Sequence, residues 1–340
     1  MKTITNTNKL AEALALNQPS REASLRRDPS VSQFWNSNRN LLEDAWSEWE
    51  IENKDSLLIP DETLLDPKLR KAINDAWENP EKENAVADLW EEIIPGVYSG
   101  QFFDLERLAE FRKYLEATVN SEIPRRAPYG IQLNRYGVML DPRSEGHLAA
   151  PNFQAFYNEM MNRYMRPIAR LLLGTYGYDN QTFGFSIQYN PGKDKDLHAH
   201  TNASAATLNI NINLPDEEFT GSQVDFHDRS TGKVVQTIFE PGKAIIHTGN
   251  VPHATHPITS GQRSNLVVWL YGDRMQIPRG GASSYGSVSH SDSKIVTTEN
   301  VTVRERWSVP DGPKDNAAPF LKKTEIRILA EHFLPIIQFK

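Results

Sequence analysis

Between residues 183 and 270 the chain breaks into short β-forming runs with turn signals between them and no intervening helical pattern. The runs are 183–189, 206–214, 223–226, 234–239, 244–247 and 265–270. The breaks are Asn190-Pro191-Gly192, Phe219-Thr220-Gly221-Ser222, Glu240-Pro241-Gly242-Lys243 and Thr259-Ser260-Gly261-Gln262. Glycine and proline at these places supply turns, and strands this short and closely spaced predict an antiparallel sandwich or jelly roll. Six of the nine histidines lie in or beside these runs: His198, His200, His227, His247, His253 and His256. Histidine is the commonest metal ligand and titrates near neutrality, so this concentration is the strongest chemical signal in the chain.

The 340 residues suffice for one large core or a catalytic domain with helical additions. A net charge of -7 and the lack of a long Lys/Arg block argue against nucleic acid or an anionic membrane as partner. No stretch is apolar and long enough to span a bilayer, and residues 1–16 do not read as a signal peptide, so a cytoplasmic location is expected. With no cysteine, disulfides, thiolate catalysis and cysteine-ligated metals are excluded.

Residues 1–95 read as helices joined by polar turns and hold Trp35, Trp46, Trp49, Trp77 and Trp90. These aromatics offer either a partner surface or, more simply, packing against a catalytic core. Asp66-Pro67 predicts a helix start, with Leu69, Ile73, Ala76 and Trp77 at helical spacing and Asn79-Pro80 as the stop. Asp104 is placed to cap a helix carrying Leu108, Phe111 and Leu115. Residues 153–173 read as a helix that Pro167 kinks or divides. Residues 130–140 read as extended, 279–293 as a loop and 322–339 as a docking helix. The expected division is a helical region over 1–95, a jelly roll over 96–275 and a C-terminal extension over 276–340, within an α+β class.

A non-haem iron site that activates oxygen takes two imidazoles and a carboxylate on one face and leaves the other open. A residue and its i+2 neighbour at a strand end can supply two ligands, and another strand must supply the third. His200-Thr201-Asn202 has the first spacing, and His253 is a suitable distant ligand. Arg263 lies ten positions after His253 at the start of an apolar strand. Its bidentate guanidinium suits a carboxylate held in a mostly apolar barrel.

Residues from about 94 to 272 resemble the prolyl/lysyl-hydroxylase-like branch of the iron(II)- and 2-oxoglutarate-dependent dioxygenases, with uncharacterised plant and microbial members most similar. The stretches that carry the resemblance are Asn134-Arg135-Tyr136-Gly137-Val138, Asp196-Leu197, Thr207-Leu208-Asn209, Phe219-Thr220-Gly221, and His247-Thr248-Gly249 through His253 to Gly261-Gln262-Arg263-Ser264-Asn265-Leu266. The resemblance implies a double-stranded β-helix and Fe(II), 2-oxoglutarate and oxygen as cofactor set. It implies a metal site at His200, Asn202 and His253, and 2-oxoglutarate held by Arg263, Tyr189 and Thr207. The substrate class it implies is a small molecule or a peptide.

Two residues depart from the family pattern. Ser222 replaces the second glycine of a Gly-Gly pair, and Asn202 replaces the ligating aspartate. An amide is neutral and a weaker donor than a carboxylate, so weaker iron binding and reduced or absent turnover follow. Halogenating relatives carry Ala or Gly there, whereas Asn still fills most of that space, which disfavours halogenation. Asp196 and Asp225 are the nearby carboxylates in sequence. Two readings stand side by side: an oxygenase that hydroxylates an unactivated C–H bond, and a catalytically degenerate oxygenase fold, natural or engineered through Asn202, serving as a binding module.

Overall fold

The helices begin and end where capping chemistry puts them. In the computed structural model, which describes residues 8–26, 28–128, 137–175, 182–192, 196–271 and 302–308, the Asp66 carboxylate accepts from the amides of Lys68 and Leu69 and opens helix Pro67–Glu78. That helix buries Leu69, Ala72, Ile73 and Ala76. Asp104 caps helix Leu105–Asn120 by accepting from the Glu106 amide. The helical stretch expected over 153–173 is divided, as Pro167 predicts, into three segments: α over Pro151–Glu159, a π-helical turn over Met160–Met165, and α over Arg166–Leu173. A proline ring in a continuous α-helix collides with the carbonyl four residues back, and the wider turn just before Pro167 removes that collision.

Trp35, Trp46, Trp49 and Trp90 are buried in the main hydrophobic core. Trp77 donates its Nε1 to the Arg163 carbonyl at 2.9 Å and meets Trp307 edge-on. These tryptophans are therefore packing residues.

Among the described residues twelve strands occur, in chain order: β1 Glu91–Ile94, β2 Val97–Gln101, β3 Thr182–Tyr189, β4 Leu197–His200, β5 Ala206–Asn211, β6 Thr220–Gly221, β7 Val224–His227, β8 Val234–Thr237, β9 Lys243–Thr248, β10 His253–Thr255, β11 Ile258–Ser260 and β12 Arg263–Leu270. They form a six-stranded sheet in the order β1-β2-β9-β5-β12-β3, a four-stranded sheet β4-β10-β7-β8, and a small β11-β6 pair. All pairings are antiparallel. Two facing antiparallel sheets, with helices on the far side of the larger one, make the α+β jelly roll expected from the sequence. The expected boundary at residue 95 falls in the turn between β1 and β2, where Gly96 has φ 79°. β2 pairs with β9, so this hairpin is part of the sheet.

The larger sheet is sorted by side. Leu208, Ile210, Ala244, Ile246, Leu266 and Val268 pack with the helices in the main core. Val97 and Ile245 share a second cluster with Val224 and Phe226 of the smaller sheet. Phe185, Ile187, Tyr189, Val267 and Trp269 form a third with Ile258. By strand alternation, the inward face of the larger sheet therefore also carries Thr207, Asn209, Asn211, His247, Arg263 and Asn265.

Past β12, the described helix Val303–Arg306 is clamped to the N-terminal helical region. Arg306 and the Trp307 indole both bond Glu83, and Arg170 Nη1 donates to the carbonyls of Glu305, Arg306 and Ser308. The expectations for 130–136, 279–293 and 322–339 lie outside the described residues. Among the described residues no helix is long and apolar enough to cross a membrane.

Candidate active site

His253 stands directly across from His200 in the β10–β4 pairing and from Phe226 in the β10–β7 pairing. The His200 and His253 ring centroids are 4.3 Å apart, and Phe226 stacks on His253 at 5.7 Å. The Nδ1 atoms of His200 and His253 face the carbonyls of His198 and Val251 at 2.8 and 3.0 Å. A carbonyl only accepts, so in the neutral ring the proton sits on Nδ1 and the Nε2 lone pair is free, the tautomer a metal ligand needs. Burial holds both imidazoles below the ordinary histidine value, His253 further because His200 and His247 lie beside it. Both are thereby neutral at physiological pH.

Asn202, the third expected ligand, is buried and held through its N–H donors, not through Oδ1, the atom that would ligate. Its Nδ2 donates to Thr207 Oγ1 at 2.9 Å, and its backbone amide donates to the Gly249 carbonyl at 2.9 Å. Ser204 Oγ is also 2.9 Å from Thr207 Oγ1. Thr207 thus anchors the Asn202 segment. Asp225 does not take the aspartate's place. Asp225 alternates with inward Val224 and Phe226, so it lies on the outer face, where His256 and Gln236 hold it at 2.7 and 3.0 Å. Among the described residues no three His, Cys, Asp or Glu side chains stand in metal-binding geometry.

Arg263 is almost completely buried on β12 opposite Tyr189. Its guanidinium lies 4.2 Å over the Tyr189 ring and 5.1 Å from the Phe239 ring, and its Nη1 donates to the Ser222 carbonyl at 2.6 Å. Its Nε, together with the Ser222 hydroxyl and the Trp269 indole N–H, is buried without a hydrogen-bond partner. Burial lowers the guanidinium pKa while Tyr189 opposes the shift, yet an arginine stays charged. A buried cation stacked on two rings, with no carboxylate partner among the described residues and orphaned donors around it, is set to receive an anion. A carboxylate fits that need.

Beside Arg263, buried asparagines line the inward face. Asn265 Nδ2 donates to Asn209 Oδ1 at 2.6 Å, and Asn211 Nδ2 lies 3.2 Å from Asn265 Oδ1 and 3.0 Å from Asn213 Oδ1. The signal was present in Thr207-Leu208-Asn209-Ile210-Asn211-Ile212-Asn213, whose strict alternation marks a two-sided strand. Only the fold shows that the polar side faces inward.

The remaining histidines divide by position. His198 is exposed and contributes its carbonyl, so it orients His200 through the backbone. His227 ends β7, and His256 follows β10 and pairs with Asp225 on the outer face. His247 is buried with Nδ1 at 2.9 Å from the Thr248 carbonyl, and its ring lies 4.7 Å from that of His253. His290 and His332 lie outside the described residues.

Facing antiparallel sheets, two adjacent neutral imidazoles and an isolated buried arginine define the class: a jelly-roll protein with a candidate metal and carboxylate site. The sequence is 27% identical over 151 residues to a 2-oxoglutarate and iron-dependent oxygenase domain-containing protein of Arabidopsis thaliana. The match covers 40% of this chain and 35% of the relative, so the chain spans about a third of that protein's length. Over that stretch the chain resembles a 2-oxoglutarate and iron-dependent oxygenase domain. No family model matches the chain. Similar solved structures include a Pseudomonas putida prolyl-4-hydroxylase (14% identity, TM-score 0.39, covering 60% of this chain and 99% of that one). A Trichoplax adhaerens prolyl hydroxylase (15% identity, TM-score 0.40, covering 61% and 93%) is another.

Proposed function

We propose that this chain is a 2-oxoglutarate- and iron(II)-dependent oxygenase that hydroxylates an unactivated C–H bond of a small molecule or peptide, with metal affinity weakened by Asn202. The observation that carries the reading is Arg263, a buried cation on the inward face of the larger sheet with its Nε unpartnered and, among the described residues, no carboxylate paired with it. A dicarboxylate co-substrate supplies the missing anion, with the Tyr189 ring against the guanidinium and Thr207 on the same inward sheet face. His200 and His253 are the two imidazoles that would hold iron. Iron with 2-oxoglutarate and oxygen supplies the oxidising chemistry. The protein's part is to bind the co-substrate at Arg263, keep His200 and His253 neutral, and keep water from the inward face with Phe226, Phe239 and Trp269.

The residues fit 2-oxoglutarate better than they fit iron. Asn202 offers no negative charge and spends its amide N–H on Thr207. That observation favours the second reading, a degenerate oxygenase fold that retains ligand binding. The division of the chain into a helical region, a jelly roll and a C-terminal extension remains part of the proposal.

Anaerobic Fe(II) titration in the presence of 2-oxoglutarate tests the reading, with the native chain compared to Asn202→Asp. The expected result is a metal-to-ligand charge-transfer band in both, with affinity at least about tenfold higher in the variant. Succinate release coupled to oxygen uptake then reports turnover. Retained 2-oxoglutarate binding with no band and no succinate from either protein would decide for the binding module.

A further inference from the structure

The β5–β12 ladder stops at Asn211 opposite Asn265, short of Arg263, while β12 stays paired to β3 as far as Arg263 opposite Tyr189. Just past the end of the ladder, the Ile212 N–H still donates to the Ser264 carbonyl at 2.9 Å. In a regular antiparallel pair the Ser264 N–H would return a bond to the Ile212 carbonyl. Instead that carbonyl accepts from Arg112 of helix Leu105–Asn120 at 2.8 Å. Glu217 then turns the chain away, accepting from both Arg112 and the Leu214 N–H, and Pro215 has no N–H with which to extend a ladder.

The side chain of Asn213 fills the gap. Its Oδ1 accepts from the Ser264 N–H at 2.8 Å, and its Nδ2 donates to the Gln262 carbonyl at 2.6 Å. These two groups belong to the two peptide units that join Arg263 to its neighbours. A primary amide carries the same donor and acceptor as a peptide unit, so Asn213 stands in for the missing strand. Its orientation is fixed, because a peptide N–H only donates and a carbonyl only accepts. Asn211 locks it further, with Nδ2 donating to Asn213 Oδ1 at 3.0 Å and Oδ1 accepting from the Asn213 N–H at 3.2 Å. Asn213, Arg263 and Ser264 are each 1% exposed, so water does not replace these bonds.

The length of arginine gives this clamp its consequence. The guanidinium lies several bonds from the main chain, so a small rotation of the β12 backbone is amplified at its tip. Productive ligand capture tolerates about 0.5 Å and 10–20° of error. At the tip the Ser222 carbonyl and the rings of Tyr189 and Phe239 hold the group, while Nε has no partner. At the base, β3 holds one edge of the strand at Arg263 and Asn213 holds the other.

From this arrangement we infer that Asn213 is a positioning residue for Arg263: its amide completes the β12 ladder and sets the guanidinium where it receives the co-substrate carboxylate. The inference rests on the Arg263 part of the proposed function and does not involve the metal. Asn213 touches no ligand in this scheme, and its effect on binding passes through Arg263.

The test uses the full chain and two readouts. Calorimetry with 2-oxoglutarate is expected to show at least about tenfold weaker binding in Asn213→Ala, and no further loss when Asn213→Ala is added to Arg263→Lys. Equal losses in both backgrounds, or none in either, overturn the inference. The second readout needs no ligand: the Nε–H signal of Arg263 in arginine-labelled protein, identified by its loss in Arg263→Lys. Asn213→Ala is expected to move this signal and speed its solvent exchange at least about tenfold, and an unmoved signal overturns the inference. If Asn213→Ala does not fold, the native chain still decides. Its Ser264 amide, which has no main-chain acceptor on β5, is expected to exchange slowly, and exchange at the rate of an exposed amide overturns the clamp. If the native chain binds no 2-oxoglutarate, the co-substrate part of the proposed function falls, and the Arg263 Nε–H signal alone decides on Asn213.

Discussion

The Asn202 side-chain amide donates to Thr207 Oγ1 at 2.9 Å, and Thr207 lies across the β5–β9 ladder from His247. One hydroxyl therefore fixes where the residue in the usual carboxylate position points. Thr207→Val keeps the shape and removes the acceptor, leaving the buried Asn202 amide and Ser204 hydroxyl without their partner. The expected loss is about 1–3 kcal/mol of stability, read as a lower urea midpoint with unchanged slope. An unchanged midpoint would mean that this bond does not hold Asn202 in solution.

Arg263 is expected to set co-substrate affinity. Arg263→Lys retains the charge but loses the planar fork and the stacking on Tyr189 and Phe239. Calorimetry with 2-oxoglutarate is expected to show affinity at least about tenfold weaker, roughly 1.4 kcal/mol. Equal affinity would place the carboxylate elsewhere.

Ser222 has φ 58° and a buried hydroxyl without a partner, while its carbonyl accepts from Arg263. A left-handed backbone costs a non-glycine residue about 1–2 kcal/mol, part of which glycine's greater unfolded freedom offsets. Ser222→Gly is therefore expected to stabilise the protein by up to about 1 kcal/mol in chemical denaturation. 2-Oxoglutarate affinity should stay unchanged, because the carbonyl remains.

Gly249 is a close-approach glycine at the site. A Cβ there would lie 1.8 Å from the Ser204 carbonyl oxygen and 2.8 Å from that of Asn202, both backbone atoms that cannot swing aside. Gly249→Ala is expected to cost about 3 kcal/mol in stability and to displace the Asn202 segment. Thermal denaturation of the metal-free protein checks the first effect, and a wild-type melting temperature would contradict it.

His247 sets an acid limit. Burial, with His200 nearby, pushes its pKa down to about 4 from the ordinary 6.5. The folded state thus keeps the ring neutral while the unfolded chain protonates it. Stability is unaffected above pH 6.5, falls as pH drops from 6.5 to about 4, and levels off below. This residue alone contributes a loss of about 3 kcal/mol across that window. Urea midpoints of the metal-free chain measured at pH 7 and pH 5 should differ, and His247→Gln should reduce the difference.

Part of the candidate site's arrangement was legible before any fold was known, for reasons tied to particular residues. His200, His253 and Arg263 carry side chains whose chemistry is narrow, at separations that strand ends and cross-strand partners can satisfy, and the structure sets the two histidines opposite each other across the β4–β10 pairing. The Asp66 and Asp104 caps were legible because capping is a contact within three residues. The π-turn before Pro167 was not, because local sequence marks the proline but not the backbone arrangement that accommodates it.

The sequence by itself determined the short strands, the absence of thiol chemistry, the two spaced histidines and the asparagine where a carboxylate would stand, since each depends only on residue type and local spacing. The tertiary structure alone decided which way those residues face. Strand alternation is blind to inside and outside, and the sheet pairing turned Thr207, Asn209 and Asn211 inward and Asp225 outward. Long-range register likewise brought His247, six residues from His253 in the chain, against its ring at 4.7 Å. Distance along a chain says little about distance across a sheet, and that is why the packing of His247 on His253 became visible only in the fold.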